Sequence, residues 1–139
     1  IDPFDDLPAD FDRIASTLEN AARLDRAGVT VAFSLRTSAP HEARKLRQGA
    51  GNAVAHGLPW DRAFAAISAV PARLFAAGED WGSMEVGHKA NLVVWSGDPL
   101  DVTSLVQAEW LDGTPRSLET RQTALRARYM ERLKRGEAR

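Results

Sequence analysis

The stretch from Gly82 to Leu100, reading GSMEVGHKANLVVWSGDPL, constrains the fold of this chain more than any other. Gly82 and Gly87 bound a tight turn, Asn91 to Ser96 is a short apolar run, and Gly97-Asp98-Pro99 ends it. Val93, Val94 and Trp95 favour a pleated, half-buried surface, while Gly and Asp-Pro supply the backbone angles of a turn. A strand over 91–96, entered and left by sharp turns, is therefore expected.

Upstream, helical periodicity alternates with one buried run. Residues 1–8 are acidic, contain proline and suit a loop. Phe11, Ile14, Leu18 and Ala21 or Ala22 recur at three- and four-residue steps. A helix is therefore expected over 10–27, with Asp10 as N-cap and Gly28 in the left-handed position past its end. Val29 to Ser34 (VTVAFS) follows directly, with the composition of a strand buried on both faces of a parallel sheet. After a loop at 35–40, a second helix is expected over 41–56, closed by Gly57, with Leu46, Ala50, Ala53 and Val54 facing inward. Gly49 and Gly51 each cost such a helix about 1 kcal/mol relative to Ala, which points to a closely packed neighbour. Leu58-Pro59 opens a third helix, 59–70, with Phe64, Ile67 and Val70 or Leu74 on one side. Pro71 breaks or kinks it, and a short segment over 71–77 ends at Gly78.

Beyond the opening stretch, 105–111 (LVQAEWL) reads as a second strand, Asp112-Gly113 as a tight turn, and 114–116 as a short paired strand. Ser117 and Thr120 are alternative caps of a terminal helix, 118–134. Leu118, Gln122, Leu125, Tyr129 and Leu133 line one side of it. The expected class is α/β in two parts: helix-strand-helix units over 1–78, then β strands with a terminal helix over 79–139. Trp60, Trp81, Trp95 and Trp110 are expected in core or interface packing.

Composition excludes several functions. With no cysteine, the chain has no disulfide framework, thiolate metal site or cysteine nucleophile. A formal net charge of -1 gives no overall pull toward nucleic acid or an anionic membrane. Charge is nonetheless uneven: Asp2, Asp5, Asp6, Asp10 and Asp12 crowd the start, and Arg121, Arg126, Arg128, Arg132, Lys134, Arg135 and Arg139 the end. Gly-rich phosphate loops and a Gly-x-Ser-x-Gly elbow are absent. No apolar run approaches the roughly 20 residues that span a bilayer, and no leader pattern opens the chain. A soluble chain is expected, cytoplasmic or periplasmic. Because the first residue is Ile1, and Met84 and Met130 are the only methionines, a processed, truncated or excised part of a longer polypeptide is expected.

Gly82, Ser83, Met84, Glu85, Val86, Gly87, Ala90, Leu92, Val93 and Val94 resemble the C-terminal signature of the amidohydrolase superfamily, where the chain rejoins a small β-sandwich beside a TIM barrel. His88 stands where Lys is usual and Asn91 where Asp is usual. The segment 59–77 also resembles what precedes that signature, and the resemblance covers most of 7–130. It implies the C-terminal fragment of a TIM-barrel, imidazolonepropionase-like amidohydrolase: the last helix-strand-helix units, strands of the accessory β-sandwich and a terminal helix. A complete barrel takes about 250 residues, more than this chain holds. The implied reaction is hydrolysis of a non-peptide carbon–nitrogen bond, often in a cyclic amide, by water activated on a divalent metal such as Zn. The alternative is a noncatalytic relative serving as an interaction or structural module.

The family's ligands are an early His-x-His, two later histidines and an Asp at the end of the last barrel strand. This chain has no His-x-His. The resemblance places 29–34 at that last strand, where Ser34, Leu35, Arg36, Thr37 and Ser38 bring no carboxylate, and none occurs between Asp25 and Glu42. In an ungapped reading Arg36 replaces the Asp, and a guanidinium cannot ligate a metal. Ser34, Arg36, Thr37 and His41 are the candidate site residues. No metal ligand or cofactor is expected within the chain, and the chain alone is expected to be inactive. His41, at a helix start, suits a substrate or metal contact or a polar cap. His56 suits a helix-end dipole partner, and His88 is expected in a solvated turn. The expected partners are the missing N-terminal part of the same protein, further copies of the chain and a small-molecule substrate, with neither nucleic acid nor membrane.

Overall fold

The computed structural model describes residues 1–5, 8, 10–36, 39–75 and 80–136. Its helices are α1 (Asn20–Arg26), α2 (Lys45–Ala55), α3 (Trp60–Ala65), α4 (Ala69–Leu74) and α5 (Arg121–Lys134). Its strands are β1 (Leu92–Trp95), β2 (Val106–Leu111) and β3 (Thr114–Pro115), in one antiparallel sheet of order β1-β2-β3. The chain is thus α/β with a small antiparallel sheet.

Two glycines shape the helical half as the sequence predicts. Gly28 and Gly57 adopt φ of 80° and 97°, angles that cost a side-chain-bearing residue free energy. After α1, the Gly28 N–H donates to the Asp25 carbonyl (2.9 Å) and the Val29 N–H to Leu24 (3.0 Å). After α2, Gly57 donates to Val54 and Leu58 to Ala53, both at 3.0 Å. Both ends are Schellman motifs, which satisfy the last carbonyls and reverse the chain. The chain beyond them delivers Phe33 and Leu58 to the core.

The expected helix over 10–27 is interrupted. Phe11–Arg13 forms a single 3-10 turn, and Asp10 makes no side-chain cap bond. The interruption lies at Ser16-Thr17: the Glu19 N–H donates to Thr17 Oγ1 (3.3 Å) and the Asn20 N–H to the Thr17 carbonyl (3.0 Å). Such local bonds compete with the helical ladder. As a result Phe11 and Ile14 are 86% and 70% exposed, and Ala21 and Ala22 carry the burial of the expected stripe.

The run 29–34 is extended but belongs to no sheet among the described residues. The Ile1 nitrogen donates to the Ala32 carbonyl (2.7 Å), and the Ser34 N–H donates back to the Ile1 carbonyl (2.9 Å). Those two bonds are the repeat of a parallel ladder, with Ile1 beside Phe33. The Phe33 N–H is taken by the Ala66 carbonyl at 2.9 Å. Burial is confined to one end of the run, because Phe33 is 4% exposed and Val31 and Ala32 are half-buried while Val29, at 47%, and Thr30 and Ser34 are exposed. The expected strand buried on both faces is corrected accordingly.

The other helices are shorter than expected. The chain turns once in a 3-10 helix at Pro40–Glu42 before α2 begins at Lys45, and α3 stops at Ala65. Pro71 does not break a helix; it lies in the first turn of α4, where its missing N–H removes no intrahelical bond. Ala76, Ala77 and Gly78, expected to complete that segment, lie outside the described residues.

Alanine dominates the core, with Ala21, Ala22, Ala50, Ala53, Ala63 and Ala66 packed around Phe33, Leu58 and Leu100. Small side chains let helices approach, and the glycines of α2 take this further. A Cβ on Gly49 would lie 2.4 Å from Pro3 Cγ, and one on Gly51 would lie 2.5 Å from the Leu100 carbonyl oxygen. The N-terminal loop therefore seats on Gly49 and the turn after β1 on Gly51.

β1 and β2 pair with Leu92 opposite Trp110, and the register shifts between Val94 and Trp95. Asp112 and Gly113 join β2 to β3 with φ of 50° and 74°, the positive angles that a tight hairpin turn demands. Asn91 Oδ1 accepts the Asp112 N–H at 2.9 Å, while its Nδ2 is buried without a hydrogen-bond partner among the described residues. Thr120 is the cap of α5, exchanging bonds with Thr123, whereas Ser117 Oγ accepts only the nearby Glu119 N–H. No residue of α5 is buried, and Tyr129, Met130 and Leu133 face solvent. Among the described residues no helix is long and apolar enough to cross a membrane.

Candidate functional site

The end of the extended segment is organised by Arg36. Phe33 is anchored in the alanine core, which fixes where the chain emerges at Ser34 and turns at Arg36. There the Arg36 N–H donates to Asp2 Oδ2 (2.8 Å) and Arg36 Nη1 to Asp5 Oδ2 (2.6 Å). The second oxygen of Asp5 is held by Arg13 Nη1, and the second oxygen of Asp2 accepts the Phe4 N–H at 2.9 Å. Arg13 also approaches Asp10, with 3.5 Å between Nε and Oδ2. Asp5 therefore bridges two guanidinium groups. Its hydrogen bond, and then its charge, push Arg36 further above the ordinary arginine value, so Arg36 stays cationic.

Two open clefts flank this cluster. One of about 350 Å³ is lined by Asp2, Phe4, Asp5, Arg13 and Arg36. The other, about 490 Å³, runs past Leu35 and Arg36 to Gln48 and the ion pair of Glu42 with Lys45. The structure thus brings Arg36 together with Asp2, Asp5 and Arg13, none of which stood among the candidates. A signal was present: an acidic start faces a lone cation after an apolar run. The charge asymmetry alone leaves open a pairing of that start with the basic C-terminus; the observed ion pairs run to Arg13 and Arg36. Asp6 and Arg139 lie outside the described residues.

Of the candidates, Ser34 is exposed and held through its backbone, and Thr37 lies outside the described residues. His41 is exposed in the 3-10 turn Pro40–Glu42. His56 is the C-cap of α2. The expectation that His88 is solvated is corrected: its side chain is 20% exposed, with Nδ1 3.0 Å from Ser83 Oγ and Nε2 3.9 Å from Glu85. Here the turn is pressed onto α4, since a Cβ on Gly82 would lie 2.7 Å from the Ala72 Cβ.

The cluster does not fit a divalent ion. Both oxygens of Asp2 and both of Asp5 already accept hydrogen bonds, and the groups that hold Asp5 are permanent cations with no lone pair to give. Among the described residues no three His, Cys, Asp or Glu side chains lie close enough to hold a metal.

A further groove of about 520 Å³ marks the joint between helices and sheet, with Phe64, Ile67, Trp95, Leu105 and Val106 in its lining. Arg47 spans this joint. Its Nη1 donates to the carbonyls of Pro99 (3.0 Å) and Asp101 (2.7 Å), and its guanidinium lies 4.6 Å from the centre of the Trp95 ring. Trp60 stacks on Phe64 with centroids 5.2 Å apart and donates to Asp98 at 3.0 Å. Trp95 and Trp110 are half-buried, whereas Trp60 and Trp81 are 42% and 38% exposed and lie outside the core expected for them.

Comparison with known proteins places this geometry. The model of the amidohydrolase family matches residues 2–125. The chain is 37% identical over 59 residues to amidohydrolase tasK of Hapsidospora irregularis, a match covering 42% of this chain and 6% of that protein. It superposes on the crystal structure of an amidohydrolase from Thermotoga maritima MSB8 with a TM-score of 0.69 and 28% identity, covering 80% of this chain and 29% of that one. The chain thus spans less than a third of either protein.

Proposed function

Because the chain belongs to the amidohydrolase family, we propose that it is the C-terminal portion of a TIM-barrel, imidazolonepropionase-like hydrolase that cleaves a non-peptide carbon–nitrogen bond, such as that of a cyclic amide, in a small molecule. The observation that carries this reading is the extent of the match, 2–125, which runs through both the extended segment and the Gly82 turn. Parallel pairing of Ile1 with Phe33 supports it, since adjacent barrel strands pair in parallel. On this reading residues 1–78 supply the last barrel units and 79–139 the strands of the accessory β-sandwich. A divalent metal such as Zn belongs to the full-length active protein, with ligands from outside this chain. Because Asp2, Asp5 and Arg36 do not fit such an ion, no catalytic step runs through them, and the chain by itself is inactive.

Arg36 favours a second reading, a noncatalytic relative that keeps the fold as an interaction or structural module. Metal analysis and hydrolase assays on the longest polypeptide that carries this chain separate the two. Tightly bound divalent ion with turnover of cyclic amides or dipeptides supports the enzyme; an intact, metal-free, inactive product contradicts it. In either case the exposed apolar residues of α5 and β1 require cover. The preceding part of the same polypeptide, or another copy of the chain, supplies it; nucleic acid and membrane do not. Self-association of the 139-residue chain at micromolar concentration is the expected sedimentation result, and a monomer contradicts it.

A further inference from the structure

The charge at position 36 decides what Asp2 and Asp5 can do. Both carboxylates converge on one residue, through its backbone N–H at 2.8 Å and its guanidinium at 2.6 Å. Asp5 is also held by Arg13, whose Nε approaches Asp10. A carboxylate in place of Arg36 would gather like charges that favour a cation or a proton between them. With Arg36 present that demand is met from within the chain.

The same contacts have a mechanical result. Ile1 lies beside Phe33 through two backbone bonds, and Asp2 and Asp5 lie beside Arg36 just beyond it. The N-terminal loop is therefore fastened to the extended segment at consecutive points. Pro3 rests on Gly49 between them, where no side chain would fit.

We infer that Arg36 is the built-in cation of this end of the fold: it latches the N-terminal loop to the end of the extended segment and keeps Asp2 and Asp5 from recruiting a divalent ion. The role holds whether the parent protein is an enzyme or a noncatalytic relative, because a catalytic metal held elsewhere leaves it untouched.

The test uses the 139-residue chain and Mn²⁺ alone, a hard cation suited to carboxylate oxygen, with binding read by electron paramagnetic resonance. The native chain is expected to show no Mn²⁺ binding that Asp5→Asn removes. Arg36→Asp is expected to bind at least about tenfold more tightly, with the gain lost when Asp5→Asn is added. Native binding that Asp5→Asn abolishes, or a folded Arg36→Asp chain with no gain, overturns the inference. Should Arg36→Asp fail to fold, Arg36→Gln tests the latch by hydrogen exchange. Loss of a charge-assisted bond is expected to speed exchange of the Ser34 amide by about tenfold, with Arg36→Lys in between. An unchanged Ser34 amide in a folded Arg36→Gln chain overturns the inference.

Discussion

α2 and α5 contain 11 and 14 residues, respectively, and each carries apolar residues at helical spacing, yet α2 buries Gly49, Ala50 and Ala53 whereas α5 buries nothing. The difference lies in what each helix meets within the chain. Glycine and alanine on α2 admit Pro3, Leu100 and neighbouring helices to backbone distance, so small residues gather many contacts. α5 presents Tyr129, Met130 and Leu133, which offer more apolar area but stay 57%, 47% and 57% exposed. Its helix rests on a Thr120–Thr123 capping box and local bonds. Thus one region is held by tertiary packing and the other by local structure.

The largest expected effect that tests this contrast comes from Phe33, the aromatic member of the alanine core. Phe33→Ala is expected to cost about 3–5 kcal/mol by chemical denaturation, and a loss below 1 kcal/mol would show that the core does not rest on it. Gly51→Ala comes next, because the new Cβ meets a backbone carbonyl that cannot swing aside. About 1–3 kcal/mol is expected, read as a lower denaturation midpoint with unchanged slope. Thr120→Ala removes the cap of α5 at a local cost of about 1 kcal/mol. Because α5 is unpacked, that cost is expected as fraying of α5 with an unchanged global midpoint. A matching drop in global stability would merge the two regions.

The smallest effect concerns the joint between helices and sheet. The Thr103 N–H, then the Thr103 hydroxyl, hold the Asp101 carboxyl below its ordinary value, and the charge of Arg47 adds to this. A depressed carboxylate contributes stability that is present above its unfolded pKa and lost as pH falls through the folded value. The 101–103 turn is therefore expected to loosen only in acid, below the usual carboxylate range. Titration of Asp101 by NMR checks this, with Thr103→Val expected to raise its midpoint. An ordinary midpoint in the native chain contradicts the assignment.

What the sequence disclosed was chiefly backbone chemistry. Gly28, Gly57 and Asp112-Gly113 need particular angles, and the structure uses each as its type suggests. Gly49 and Gly51 announce close approach because a helix otherwise disfavours them, although the sequence does not name Pro3 and Leu100 as the neighbours. Ser16-Thr17 was hidden inside a strong apolar period, since the stripe continues across residues that bond locally instead. The run at 29–34 has strand composition, but a strand needs a ladder, and beyond Ile1 the described residues supply none. At the candidate site, position 36 was legible as the place where a carboxylate is missing. Its partners were not, because Asp2 and Asp5 reach it across more than 30 residues of chain.

Residue-resolved hydrogen exchange on dilute native chain, below the concentration of any self-association, tests the contrast most directly. The account predicts that the amides of α2 and Phe33 exchange only through global unfolding, while those of α5 exchange through local fraying at far lower free energy. Equal protection of α5 and α2 would contradict it.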